Sequence, residues 1–127
     1  MARSPRLVTA AAAVAAALAV GACGTQGVGL APSDPNNEGA VILNENCAGC
    51  HSLDVVGAYG SNTSVKTREL KDGPNFNERV ETREDVLYAI RNGGFSSGPM
   101  PQNIVVGEDA ELLARFLAEY SGTDVET

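Results

Sequence analysis

Two cysteines and one histidine form the most reactive cluster in this sequence. Cys47 and Cys50 are separated by two residues, and His51 follows at once. On an α-helix, positions i, i+3 and i+4 share a face, so all three side chains can point at one flat group. The C-x-x-C-H spacing is typical of covalent haem attachment, in which each thiol forms a thioether and the imidazole binds the iron. We therefore predict Cys47 and Cys50 as attachment residues and His51 as the proximal ligand.

Two other kinds of site use some of the same residue types. A C-x-x-C pair can be a dithiol–disulfide redox site, but such sites accompany a βαβ pattern, which this sequence lacks. A zinc site needs four ligands, usually as two separated pairs of Cys or His. The sequence offers only Cys23, Cys47, Cys50 and His51, and Cys23 has another predicted role. Both alternatives are weaker interpretations than haem.

The second axial ligand of the iron follows by elimination. His51 is the only histidine, and Met1 lies in an N-terminal segment that we expect to be cleaved, which leaves Met100 as the one available thioether. A lone methionine often only fills a gap in the core. Here prolines flank it in the run Gly98-Pro99-Met100-Pro101, and they stiffen the loop and disfavour helix. We predict that Met100 ligates the iron opposite His51.

The N-terminus has the pattern of a secretory signal. Arg3 and Arg6 precede an apolar run of small residues from 7 to 20, which is shorter than the roughly twenty residues of a membrane-spanning helix. Residues 1–22 are therefore predicted to be a cleaved signal peptide. An extracytoplasmic location follows for the rest of the chain.

The end of that segment predicts a lipid anchor. Val20-Gly21-Ala22-Cys23 looks like the lipobox of bacterial lipoproteins, whose cysteine receives diacylglycerol and becomes the first mature residue. The alternative is an ordinary signal peptide with an incidental cysteine at the junction. More than one acyl chain gives stable anchoring, so lipidated Cys23 would hold the protein at the outer face of the bacterial cytoplasmic membrane.

The mature chain is long enough for one small domain. Residues 23–37 are rich in Gly, Pro, Ser, Asn and Thr without apolar periodicity, and we predict a flexible tether spanning roughly 20 Å. Residues 38–122 form the predicted domain, and residues 123–127 form a C-terminal tail. A domain of this size has a modest core, to which a buried haem would add apolar contact.

Apolar spacing predicts three helices. The first begins near Asn37 or Glu38 and runs through Asn46 into the cysteines; the second covers Arg83–Arg91; the third covers about Glu108–Tyr120. The polar stretch 52–73 is predicted to be loop, with a helical turn around 67–71. No stretch alternates as a strand should, so the predicted fold class is all-α.

The acidic charge limits the possible partners. The chain has 9 basic and 16 acidic residues, and removal of Arg3 and Arg6 brings the net charge of the mature chain to −9. Such a surface disfavours nucleic acid. It favours a redox protein with a basic docking patch, although acidity also simply keeps a protein soluble.

Together these features resemble the class I cytochromes c, over roughly Gly39 to Gly122. The order and chemistry of the motifs match that family. The matching residues are Gly39, the Cys47–His51 attachment site, Gly73-Pro74-Asn75-Phe76, Gly98-Pro99-Met100-Pro101, and a last helix with Leu113 and Phe116.

The resemblance implies a small fold of three to four helices wrapped around one covalently attached haem c with its iron. It also implies that the carbonyl of Pro74 accepts a hydrogen bond from Nδ1 of His51 and orients the ring. Gly39 would permit close crossing of the first and last helices, where Leu43 would meet Leu113 and Phe116. The family usually has an aromatic at position 43, and the 52–73 stretch is long for a small member.

The function implied is one-electron transfer in a respiratory chain by a membrane-tethered, mono-haem electron carrier, which transforms no small-molecule substrate and is not an enzyme. One alternative is a haem enzyme or sensor of gas or peroxide in which Met100 detaches from the iron. Another is a fixed cytochrome subunit of a respiratory complex. Arg91 and Tyr59 are candidate partners for a haem propionate.

Overall fold

Three α-helices and a small two-stranded sheet form the domain. The computed structural model describes residues 27–61 and 73–124, so the predicted signal peptide, Cys23 and the predicted turn at 67–71 lie outside the described residues. The helices are α1 (Asn37–Asn46), α2 (Arg83–Asn92) and α3 (Gly107–Tyr120). None of them is long and apolar enough to cross a membrane.

The ends of α2 follow from local chemistry. The side chain of Thr82 accepts a hydrogen bond from the backbone N–H of Asp85, which satisfies one of the free donors of the first turn. Two acidic residues in that turn suit the positive end of the helix dipole. At the other end Gly93 has φ 74°, a left-handed conformation that glycine adopts readily. The predicted helix Arg83–Arg91 is thus one residue too short.

Helix α3 is the central packing element, because it contacts both α1 and α2. It begins at Gly107, one residue before the predicted start, and buries Leu113, Phe116 and Leu117. A Cβ on Gly39 would lie 2.5 Å from the carbonyl oxygen of Leu112 and 2.7 Å from Cβ of Phe116. Only glycine permits the two helices to cross so closely. Leu43, fully buried, belongs to the same core.

The stretch predicted as loop contains a compact hairpin. Strands β1 (Ser52–Leu53) and β2 (Ala58–Tyr59) pair antiparallel around a 3₁₀ helix at Asp54–Val56. Leu53, Val56 and Ala58 are fully buried, so the hairpin contributes to the core. These strands correct the prediction of loop throughout 52–73, although the three helices of the described residues confirm the predicted all-α fold class.

Residues 27–36, part of the predicted flexible tether, lie against the domain. The N–H of Gly29 donates to the carbonyl of Val55 at 2.7 Å, and Val28 and Leu30 pack partly buried against the core. The guanidinium of Arg115 donates to the carbonyl of Pro35 at 3.1 Å. The described part of this segment therefore differs from a free tether, because its apolar side chains pack against the domain. At the other end, the N–H of Asp124 donates to the carbonyl of Asn77, so the predicted tail also begins in contact with the domain.

Candidate functional site

The two thiols lie immediately after α1 rather than within it. The helix ends at Asn46, and residues 47–50 form turns. Within them the N–H of Cys50 and the N–H of His51 both donate to the carbonyl of Cys47, at 3.1 and 3.0 Å. These bonds keep the i, i+3 and i+4 spacing of one helical turn. The prediction that the first helix continues into the cysteines is corrected, but the grouping of the three side chains does not depend on it.

The imidazole of His51 is held from two sides. Its Nδ1 lies 3.0 Å from the carbonyl oxygen of Pro74, and its ring stacks on that of Phe76 with centroids 4.6 Å apart and planes inclined by 3°. Because a carbonyl oxygen only accepts, Nδ1 carries the proton and the lone pair is on Nε2. Burial lowers the pKa of His51, the bond to Pro74 partly opposes this, and the charge of Arg79 lowers the pKa further. The ring is therefore neutral and presents the lone pair of Nε2.

The hydroxyl of Ser61 contacts the backbone carbonyls next to the imidazole of His51. Ser61 Oγ lies 2.8 Å from the carbonyl oxygen of Gly73 and 3.1 Å from that of Pro74. The N–H of Gly73 in turn donates to the carbonyl of Cys50 at 2.6 Å. These hydrogen bonds therefore join Cys50 and Ser61 to Gly73 and Pro74, which are distant in the sequence.

One cavity brings together the residues predicted to attach the haem, to bind its iron and to orient the imidazole. It has a volume of about 280 Å³ and is lined by Cys47, Cys50, His51, Pro74 and Met100. That volume is many times the roughly 30 Å³ of one water molecule. Helices α2 and α3 supply apolar walls through Val86, Ala89, Ile90, Leu113 and Leu117.

Met100 reaches this cavity on a loop anchored to the end of α2. The N–H of Asn103 donates to the carbonyl of Ile90 at 2.7 Å. A Cβ on Gly94 would touch the Met100 sulfur at 3.8 Å, so the thioether lies close over that turn. Met100 itself is partly buried against the core. The loop therefore brings a thioether sulfur to the cavity that the imidazole also lines.

The surroundings of Cys47 disfavour disulfide exchange by its thiol. Cys47 and Cys50 are not joined by a disulfide, and both are partly buried. Burial, reinforced by the neighbouring Cys50, raises the pKa of Cys47 to about 11. Disulfide exchange requires a thiolate, which this environment suppresses at neutral pH. Two thiols, one neutral imidazole and one thioether around an apolar cavity fit the donor set of a covalently held haem.

Two charged residues on the cavity wall were missed by the sequence reasoning. Nε of Arg79 lies 2.7 Å from a carboxylate oxygen of Glu81, and both residues line the cavity. Nothing in the sequence distinguishes this pair from an exposed ion pair. The residues suggested for contact with a haem propionate lie elsewhere: Arg91 is exposed beside Glu111, and the side chain of Tyr59 is 61% exposed.

The family model described as Cytochrome c matches residues 37–121. A solved structure of the c-type cytochrome SorU from Sinorhizobium meliloti is similar at 32% sequence identity, with a TM-score of 0.54, covering 70% of this chain and 93% of that one. No curated protein matches the chain significantly. The family match spans the helices and the cavity just described.

Proposed function

The chain belongs to the cytochrome c family, and from that premise we propose that it is a class I, membrane-tethered electron carrier of a respiratory chain. Family membership assigns one covalently bound haem c with its iron and an electron-transfer role. The proposal adds the two axial ligands, the lipid anchor, the location and the kind of partner.

The observation that carries this proposal is the meeting of His51 and Met100 at one cavity. When bound, haem supplies a one-electron couple of ferric and ferrous iron. Nδ1 of His51 is committed to the carbonyl of Pro74 at 3.0 Å, which orients Nε2 as a ligand. The thioether of Met100 is the second ligand, and its softness favours the ferrous state and a high potential.

Two ligands from the chain leave no open position for a substrate on the iron. Peroxide or gas chemistry would need Met100 to detach and a group to move protons, and the sequence has no second histidine for that work. The residues on the cavity wall therefore support transfer of electrons over transformation of a substrate, and we propose that the protein is not an enzyme.

The proposed partner is a redox protein with a basic docking patch, because the mature chain carries a net charge of −9. Lipidated Cys23 would hold the domain at the outer face of the bacterial cytoplasmic membrane, within reach of such partners. The lipobox-like Val20–Cys23 supports this anchor.

Absorption spectroscopy tests the ligand assignment. Ferric protein should show the far-red charge-transfer band of an iron–sulfur bond, and Met100→Ala should abolish it and lower the midpoint potential. Ser97→Ala is the matched control, because Ser97 is exposed in the same loop and does not line the cavity. An unchanged band in Met100→Ala would show that Met100 is not the ligand. Carbon monoxide binding to the reduced wild type would favour the enzyme or sensor.

Mass spectrometry of the membrane fraction tests the anchor. The mature N-terminus should be Cys23 bearing acyl chains, and Cys23→Ala should release the protein from the membrane. An unmodified N-terminus, or a membrane-bound variant, would refute anchoring through Cys23. Co-purification with a respiratory complex at high salt would instead identify a fixed subunit.

A further inference from the structure

Glu81 is a buried carboxyl on the wall of the haem cavity. Its side chain is 6% exposed, and it lines the cavity together with His51 and Met100. Its cationic partner Arg79 is bonded at 2.7 Å but is itself 50% exposed. The charge of an ionised Glu81 carboxylate is therefore only partly compensated, since Arg79 remains largely in water.

Neighbouring groups fix the position of Glu81 and influence the protonation of its carboxyl. Its backbone N–H donates to Ser121 Oγ at 2.9 Å, which ties the segment to the end of α3. The charged groups facing it are Arg79 from its own loop and Asp85 from α2, and His51 is a neutral group across the cavity. Burial raises the pKa of Glu81, Arg79 opposes this, and Asp85 raises it further.

The charge of the iron must act on this carboxyl. Reduction lowers the charge of the haem by one unit, and an interior of low dielectric transmits that change more strongly than water does. A ferric centre favours the carboxylate, whereas a ferrous centre favours the neutral acid. A carboxyl that is already costly to ionise needs only a small further change to bind a proton.

We propose that Glu81 is a proton-binding site coupled to the oxidation state of the haem. On reduction, one electron from the redox partner converts ferric to ferrous iron, and the Glu81 carboxylate takes one proton from water to become the carboxylic acid. Oxidation reverses both steps. This inference rests on the proposed one-electron carrier and adds to it a proton that moves with the electron.

Potentiometric titration of the full-length holoprotein over a range of pH tests the coupling. The midpoint potential of the wild type should fall as pH rises, by up to about 59 mV per pH unit for one proton per electron. Glu81→Gln should flatten this slope. Glu78→Gln is the matched control, because it removes the same charge from an exposed site on the same loop, and it should behave as the wild type does.

Reduced-minus-oxidised infrared spectra give a second readout. A C=O stretching band of a protonated carboxyl should appear on reduction of the wild type, shift in D₂O, and be missing from Glu81→Gln. If Glu81→Gln fails to bind haem, Arg79→Gln is the substitute variant. Removal of the cation should move the pH range in which the midpoint potential changes to higher pH. An unchanged pH range would overturn the proposal.

The outcomes separate this inference from the function on which it rests. The absence of a reversible one-electron wave would refute the electron carrier itself. A reversible wave with a potential independent of pH would refute only the proton site. A slope that persists in Glu81→Gln would also refute it, because the proton would then belong to another group, such as a haem carboxylate.

Discussion

Gly73→Ala should displace the imidazole of His51, the proposed iron ligand, although it replaces no residue proposed to bind the iron. Gly73 lies directly behind the imidazole of His51, and a Cβ there would lie 2.5 Å from Nδ1 and 2.6 Å from Nε2. Ordinary contact between such atoms begins near about 3.5 Å. The ring and the new methyl must therefore separate by roughly 1 Å.

Neither side can yield without cost. The ring is stacked on Phe76, and its Nδ1 is bonded to Pro74, while the N–H of Gly73 donates to Cys50. Overpacking of this kind costs about 1–3 kcal/mol, and loss of the Nδ1 bond adds about 1 kcal/mol. The free energy of unfolding should therefore fall by about 2–4 kcal/mol, and the midpoint potential should change because the ligand is misoriented.

Gly49→Ala is the matched control for this experiment. Gly49 lies between the two attachment cysteines, yet a Cβ there would meet no atom within 4 Å. Denaturant unfolding and potentiometry of the holoproteins should place Gly49→Ala within about 0.5 kcal/mol of the wild type. A Gly73→Ala protein with wild-type stability and potential would refute the argument that Gly73 gives His51 its place.

Four further predictions concern stability, and denaturant titration measures each of them. Phe116→Ala should cost about 3–5 kcal/mol, because the ring is fully buried at the helix crossing; a loss below 1 kcal/mol would contradict this. Thr82→Ala should cost about 1 kcal/mol and Thr82→Ser much less, because the hydroxyl caps the N–H of Asp85. Deletion of residues 27–35 should cost about 1–3 kcal/mol, whereas deletion of a free tether would be neutral. Burial raises the pKa of Glu81, so the folded state binds a proton at this carboxyl more strongly than the unfolded state does. The stabilisation that this proton gives to the folded state is therefore lost as pH rises above the ordinary pKa of a glutamate. Glu81→Gln should remove this pH dependence of the free energy of unfolding.

The helices were predictable because their signals are local. Thr82, the acidic first turn of α2 and Gly93 all act within a few residues, and the predicted end of the helix missed by one. The apolar stripe of α3 needed only the helical repeat, and Leu113, Phe116 and Leu117 are buried as the stripe indicates. The ends of a helix and its buried face can therefore be predicted from residues that are close together in the sequence.

The hairpin and the N-terminal segment were not predictable in this way. Strands β1 and β2 have two residues each, which is too short to show alternation, and β1 is completed by a bridge from Ser52 to Asn75. Residues 27–36 have the composition of a linker, yet Gly29 finds the carbonyl of Val55. Strand β1 and the N-terminal segment thus each have a partner more than twenty residues away in the sequence.

The burial of Glu81 shows the same limit at the site. A Glu two residues from an Arg is ordinary in an exposed loop, and nothing in the sequence marks this one. Its carboxyl is buried because the loop before α2 closes over the cavity and is tied to Ser121 beyond α3. The charged residues on the cavity wall are Arg79 and Glu81 in the described part of the chain, and sequence reasoning had looked to Arg91 and Tyr59.

The sequence by itself determined the cofactor chemistry, because thioether attachment and axial ligation require particular atoms. Cys47, Cys50 and His51 are predicted to supply three of them at one spacing, and Met100 is the one thioether outside the predicted signal peptide, residues 1–22. The tertiary structure decided how those atoms are held. Pro74, 23 residues from His51, accepts the hydrogen bond of the imidazole, Gly73 lies against the same ring, and Glu81 is buried at the cavity wall. Burial and long-range hydrogen bonds arise only when distant segments close on one another, and that closure sets the polarity and the hydrogen bonding around the cavity.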